Sequence, residues 1–152
     1  MTNTDELYFE DFTPGSSFRT RGATLTEAQI IDFAWANDPQ PFHINKQAAA
    51  ESPYGGIIAS GFQTLIVAFR LFYAENIINA ASMGSSGMDE LKWLAPVRPD
   101  DTLRVEAEVM ESRPSRSKSD RGTVRIAYTV LNQRNETVMH FITNHIFRRR
   151  PR

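Results

Sequence analysis

The chain has 152 residues and a formal net charge of -1, with 41% hydrophobic and 23% charged residues. That balance suits one globular domain around a single core; it excludes a disordered chain and a partner held mainly by bulk charge, such as duplex DNA. With no cysteine in the chain, a disulfide framework, a thiol nucleophile and a thiolate metal site are excluded too.

The opening residues, Met1 to Leu7, are acidic and lack the basic and then apolar run of a secretory signal. The apolar run Leu65 to Phe69 is cut by Arg70 and is too short to cross a bilayer. The expectation is a cytoplasmic protein without a membrane span. Residues 26 to 36 read as an amphipathic helix, with Thr26 and Gln29 at capping-box spacing. Pro39 and Pro41 disfavour helical geometry in the residues before them, so Asp38 to His43 is expected to be a stiff extended turn. Asn45 is placed to cap a short helix running to Glu51, broken by Ser52-Pro53-Tyr54-Gly55-Gly56.

Ser60-Gly61-Phe62-Gln63 repeats the capping-box spacing, and the residues to about Ile78 are apolar almost all round, which predicts a buried helix. The small residues from Ala81 to Gly87 read as a mobile loop or lid. Asp89 to Leu94 reads as a strand ended by Pro96. Alternation at Leu103, Val105, Ala107 and Val109, and again at Val124, Ile126, Tyr128 and Val130, predicts two half-buried strands. Thr137 to Phe147 gives another, after a turn at 132 to 136. One long apolar helix followed by antiparallel strands is an α+β pattern, a curved sheet covering a single helix. No repeat or second domain is visible; residues 1–152 form one domain, with 1–7 and 148–152 expected to be flexible ends.

Two features could carry chemistry. Asp38 and His43 bracket the proline-stiffened segment, which suits a prepositioned acid and base; the same residues equally suit a turn cap and a ring packed beside Phe42. Ser60 and Gly61 open the apolar helix, where the first N–H groups lack internal partners and can meet a carbonyl oxygen; a simple capped helix start explains them as well. His140 and His145 fall on opposite faces of one strand, so no compact metal-ligand cluster is expected. Arg148, Arg149, Arg150 and Arg152 read as a solvated tail, with contact to coenzyme A phosphates as the alternative, and Arg113, Arg116 and Lys118 read likewise.

Asp38-Pro-Gln-Pro41-Phe-His43 resembles the D-x-N-P-x-H motif of MaoC-like dehydratases and R-specific enoyl-CoA hydratases, with Gln40 in place of Asn. Gly56-Ile-Ile-Ala-Ser-Gly61 is similar to the segment before that family's central helix. Trp93-Leu-Ala-Pro-Val97 followed by Asp101-Thr-Leu103 is similar to its P-V…G-D-T-L segment, with Asp100 where glycine is usual. The resemblance spans roughly residues 8 to 147. It implies a hot-dog fold and a homodimer, or a larger homo-oligomer built from dimers, with an acyl-thioester tunnel near the subunit interface. It further implies reversible addition of water to a 2-enoyl thioester, on coenzyme A or an acyl carrier, within fatty acid metabolism and with no cofactor besides the substrate's own coenzyme A. Asp38 and His43 match the catalytic pair, Gly61 matches the glycine whose amide polarises the thioester carbonyl, and Ser60 stands where many members have histidine. Thr64 and Gln40 are candidates for supporting the pair.

Two other readings stay open. A hot-dog thioesterase places a carboxylate on or near the central helix, where this chain has only Glu75, close to the far end. A non-catalytic acyl-thioester binding module would fit the departures at Ser60 and Asp100.

Overall fold

The computed structural model describes residues 5–152, and the expected flexible N-terminal end falls partly outside them. A 3-10 turn at Phe9–Asp11 leads to β1 (Ser17–Arg19), β2 (Ala23–Thr24), α1 (Glu27–Asn37), α2 (Pro41–Ile44), α3 (Lys46–Glu51) and α4 (Gly61–Ala74). Four long strands follow: β3 (Ser82–Trp93), β4 (Thr102–Pro114), β5 (Arg121–Leu131) and β6 (Thr137–Arg148). The sheet runs β1-β4-β5-β6-β3, with β2 also on β4, and every pairing is antiparallel. This is the hot-dog arrangement, a curved sheet around one long helix.

The alternation read from the sequence sets which face of the sheet is buried. Val105, Val109, Val124, Ile126 and Val130 point into the core, and Phe72 of α4 meets Tyr128 of β5 edge-on, with ring centres 5.0 Å apart. Burying one such aromatic ring is worth several kcal/mol against truncation to alanine, roughly 3–5. No helix among the described residues is long and apolar enough to cross a membrane.

The capping box on α1 forms as expected, Thr26 and Gln29 each accepting from the other's backbone N–H. Asn45 caps α3 through the Ala48 N–H. The stiff turn is half right: Gln40 is extended and its N–H turns back to the Asp38 carbonyl at 2.8 Å, but Pro41 opens α2 and His43 sits on that helical turn. A proline restrains the residue before it, yet its own fixed φ favours the first position of a helix.

α4 departs from expectation in three ways. It stops at Ala74 rather than near Ile78, because Asn76 adopts a left-handed φ of 55° and reverses the chain. Its capping box is incomplete: the Ser60 hydroxyl accepts from Phe62 N–H, while the Gln63 amide turns away to the Gln29 carbonyl. And it is not buried all round. Phe62, Ile66, Phe69 and Tyr73 form an exposed stripe along one side, at the spacing that aligns side chains on a helix.

The expected lid at 81 to 87 is instead the first half of β3. Backbone pairing with β6 needs no particular side chain, so Ser82 opposes Phe147 and Ser85 opposes His145, with irregular register around Gly84 and Gly87. Those two glycines take φ of 109° and 146°, conformations that side chains resist. The basic end is not a free tail either. Arg148 closes β6, while Arg149 and Arg150 pair with Glu10 and Asp11 and lie over the rings of Phe9 and Tyr8.

Candidate active site

Three short pieces of backbone meet at the N-terminal end of α4. Asp38 ends α1, its N–H bonded to the Ala34 carbonyl. His43 sits on α2. The extended stretch before α4 is held between them and the loop after β3, Ile58 N–H donating to the Phe42 carbonyl and Ala59 N–H to the Val97 carbonyl. Chain reversal at two prolines and two sheet-like hydrogen bonds therefore bring Asp38, His43, Ser60 and Gly61 to one place.

Each polar group there has a defined partner. The Ser60 hydroxyl donates to Asp38 Oδ2 at 2.7 Å, and the Gln40 amide donates to Asp38 Oδ1 at 2.8 Å. His43 Nε2 faces Asp38 Oδ2 at 3.3 Å. His43 Nδ1 lies 2.6 Å from the Ile58 carbonyl oxygen. A carbonyl can only accept, so Nδ1 carries the hydrogen and Nε2 is the position left to gain or lose a proton. Both side chains are largely enclosed, Asp38 at 11% and His43 at 5% of full exposure.

Burial alone would raise the Asp38 carboxyl. The hydrogen bonds from Ser60 and Gln40, together with the facing His43, outweigh it and hold Asp38 below the usual carboxylate range. Asp38 is thus ionised at neutral pH and fixed through both oxygens.

The pair opens onto a cavity of about 430 Å³ whose walls include Phe42, Tyr54, Phe62, Trp93, Leu94 and Val138. Gly61 and Thr64 line it too. The Gly61 N–H, first in α4, finds no acceptor among the described residues. Such an unpaired amide at a helix start favours developing negative charge. A β-carbon at Gly61 would stand 2.3 Å from the Trp93 ring, so only glycine lets the indole lie there.

The structure brings five of the six candidate residues into this arrangement with changed parts. Ser60, read as a substrate contact, gives its hydroxyl to Asp38. Thr64, read as a support, bonds back to the Ser60 carbonyl at 3.4 Å and does not reach the carboxylate. Gln40 supports Asp38 directly. The Ile58 carbonyl and Trp93 were missed as site residues; nothing in a sequence marks a main-chain acceptor, whereas a tryptophan just before Leu-Ala-Pro was a visible signal.

A departure from the motif also finds its reason. Asp100 sits at φ 72°, the left-handed region that glycine enters freely and aspartate tolerates better than most residues. Asp101 is buried and holds the turn by accepting from Arg98 N–H and the Gln133 amide.

Residues 10–131 match the model of the MaoC like domain. The chain belongs to the MaoC-like family. This MaoC-like domain is 31% identical to protein YdeM of Bacillus subtilis (strain 168) over 132 residues, covering 87% of this chain and 92% of that protein. It is 30% identical over 115 residues to the 3-hydroxybutyryl-CoA dehydratase of Methylorubrum extorquens, covering 74% of this chain and 70% of that protein. Among solved structures it resembles the MaoC-like dehydratase from Rhodospirillum rubrum, with TM-score 0.89, 35% identity and coverage of 96% and 99% of the two chains. Relatives of this family are named hydratases and dehydratases, which makes hydro-lyase chemistry the family's activity.

Proposed function

We propose that this MaoC-like domain adds water reversibly to a 2-enoyl thioester, with coenzyme A or a carrier protein as the thiol. The observation that carries the reading is the Asp38–His43 contact in the wall of a cavity that Gly61 also lines, its N–H without an acceptor among the described residues. Hydration needs a base for water attacking the β-carbon, a proton for the α-carbon and a donor to the thioester oxygen as enolate charge builds.

The hydrogen-bond pattern supports the following division of parts. Asp38, held ionised by Ser60 and Gln40, is poorly suited to keep a proton. His43 Nε2 takes the proton of the attacking water while Asp38 stabilises the imidazolium. The proton then passes to the α-carbon, completing addition of one water with no net change in the pair. The Gly61 N–H bonds the thioester oxygen, a contribution of about 3 kcal/mol for one well-placed donor.

Glu75, the acid a thioesterase reading would use, caps the opposite end of α4 and is occupied by the backbone and guanidinium of Arg21. Purified protein added to crotonyl-CoA and to a longer 2-enoyl-CoA separates the readings. Loss of enoyl absorbance without thiol release is the expected result; thiol release means a thioesterase, and binding without turnover means a non-catalytic module.

We infer further that two copies associate through β3. This strand lies at one edge of the sheet with its outer side unpaired, and long unpaired edges invite another strand. Met88, Trp93 and Leu94 on or just after it, and Phe62, Ile66, Phe69 and Tyr73 on α4, are exposed apolar residues, a surface expected to be covered. Light scattering should give twice the chain mass, and Phe69→Glu should shift it toward one chain.

A further inference from the structure

We propose that the indole N–H of Trp93 is a second hydrogen-bond donor to the thioester oxygen, beside the Gly61 N–H. This rests on the hydratase reading above. As negative charge grows on the thioester oxygen, one amide leaves a lone pair to be matched, and Trp93, in the same cavity wall and against Gly61, carries a donor.

The geometry is specific to one edge of the ring. A β-carbon built on Gly61 would meet Trp93 Nε1 and Cε2 at 2.3 Å each, and Cζ2 only at 2.9 Å. The pyrrole side of the indole, carrying the N–H, is therefore the part that lies on Gly61. A β-carbon stands about 2.5 Å from its own backbone nitrogen, which puts the indole nitrogen within about 5 Å of the Gly61 nitrogen. One oxygen can accept from two donors that far apart at about 3 Å from each.

Both donors are available and both are fixed. Neither finds an acceptor among the described residues, and both line the cavity that holds Asp38 and His43. Trp93 is the last residue of β3, paired with Met139 of β6, and the following Leu94 and Ala95 N–H groups both donate to the Val138 carbonyl. Phe62, on the first turn of α4, meets the indole edge-on at 81° and 6.1 Å. The strand end holds the backbone while Gly61 and Phe62 pack against the ring, which restricts where the N–H can lie before substrate arrives, the condition under which a donor stabilises a transition state. Gly61 then has two duties from one feature: its amide is open, and its missing side chain admits the second donor.

A ring that merely walls the cavity would act on binding, whereas a donor to the oxygen acts on the chemical step. Trp93→Phe keeps an aromatic wall and removes only the N–H. With crotonyl-CoA its kcat should fall about tenfold to a hundredfold while KM changes less than about threefold. Trp93→Ala should raise KM as well. A second readout needs no turnover: the infrared band of carbonyl-13C butyryl-CoA should move to lower wavenumber on binding the unaltered protein, and by less on binding Trp93→Phe. Unchanged kcat and an unchanged band in Trp93→Phe overturn the donor while leaving a hydratase reading intact. A Trp93-dependent band in a protein that hydrates no enoyl thioester upholds the donor and removes the reaction. If butyryl-CoA does not bind, both fall.

Discussion

His43 and His145 are both buried, at 4% and 7% exposure, yet their surroundings differ in kind. His43 has its Nδ1 against a main-chain carbonyl, its Nε2 against a carboxylate, and a cavity beside it. His145, on β6, places Nε2 2.6 Å from the Tyr128 hydroxyl and stacks on Phe147, with no carboxylate bonded to it. Burial alone pushes His145 down to about 4 and raises the Tyr128 hydroxyl. Enclosure therefore makes one histidine an inert core residue. What distinguishes His43 is a counter-charge and an open side, the two features that the proposed proton transfer would require: a partner that tolerates the charge and a route to the reacting atoms.

That contrast can be broken by experiment, and the largest effect is expected at the cavity. Asp38→Asn and His43→Ala should each lower kcat for crotonyl-CoA hydration more than about a hundredfold, with the thermal midpoint showing a folded protein. His145→Gln should leave kcat within about threefold. A His145 variant as inactive as His43→Ala would erase the distinction.

The second test uses acid. In the unfolded chain His145 takes a proton near 6.5, but in the folded protein only near 4. Between those values the unfolded state holds more protons, so stability falls as pH is lowered through that window, by at most about 3 kcal/mol. Asp38 acts in the same direction at lower pH: its folded carboxyl lies below the usual range, so its contribution is present above the ordinary carboxylate range and is lost as pH falls through the folded value. Urea unfolding at pH 7 and pH 4.5 should show a smaller loss in His145→Gln than in the unaltered protein. Equal losses would mean that His145 is not held neutral.

Smaller effects sharpen the picture around the pair. Ser60→Ala removes one of two donors to Asp38 and the α4 cap, so the Asp38 carboxyl, followed by its 13C NMR shift, should titrate at higher pH and stability should drop by about 1 kcal/mol. An unmoved carboxyl titration would separate Ser60 from the carboxylate's ionisation. The smallest change is expected at Asp100→Gly, which relieves a left-handed φ and adds chain entropy to the unfolded state; the two nearly cancel, leaving the unfolding free energy from urea titration within about 1 kcal/mol of the starting value.

Local chemistry was legible wherever it is written in neighbouring residues. The caps at Thr26 and Asn45, the alternation from Leu103 to Val130 and the restraint that Pro39 and Pro41 put on the residues before them all depend on contacts a few residues apart. The lid expected at 81 to 87 failed for the opposite reason. Its glycines and serines carry no strand preference, and β6 imposes the pairing from the far end of the chain. The uniformly apolar α4 likewise gave no hint of which side the sheet would leave open.

By itself the sequence determined one long helix followed by alternating strands and marked Asp38 and His43 as candidates, because side-chain period and backbone restriction act locally; their reading as a pair came from the resemblance to the MaoC-like motif. Only the tertiary structure decided what that pair touches: Ser60 turned toward the carboxylate, the Ile58 carbonyl setting the imidazole tautomer, Trp93 laid across Gly61. Those contacts join residues from separate elements, and their geometry exists only once the sheet has fixed where each element ends.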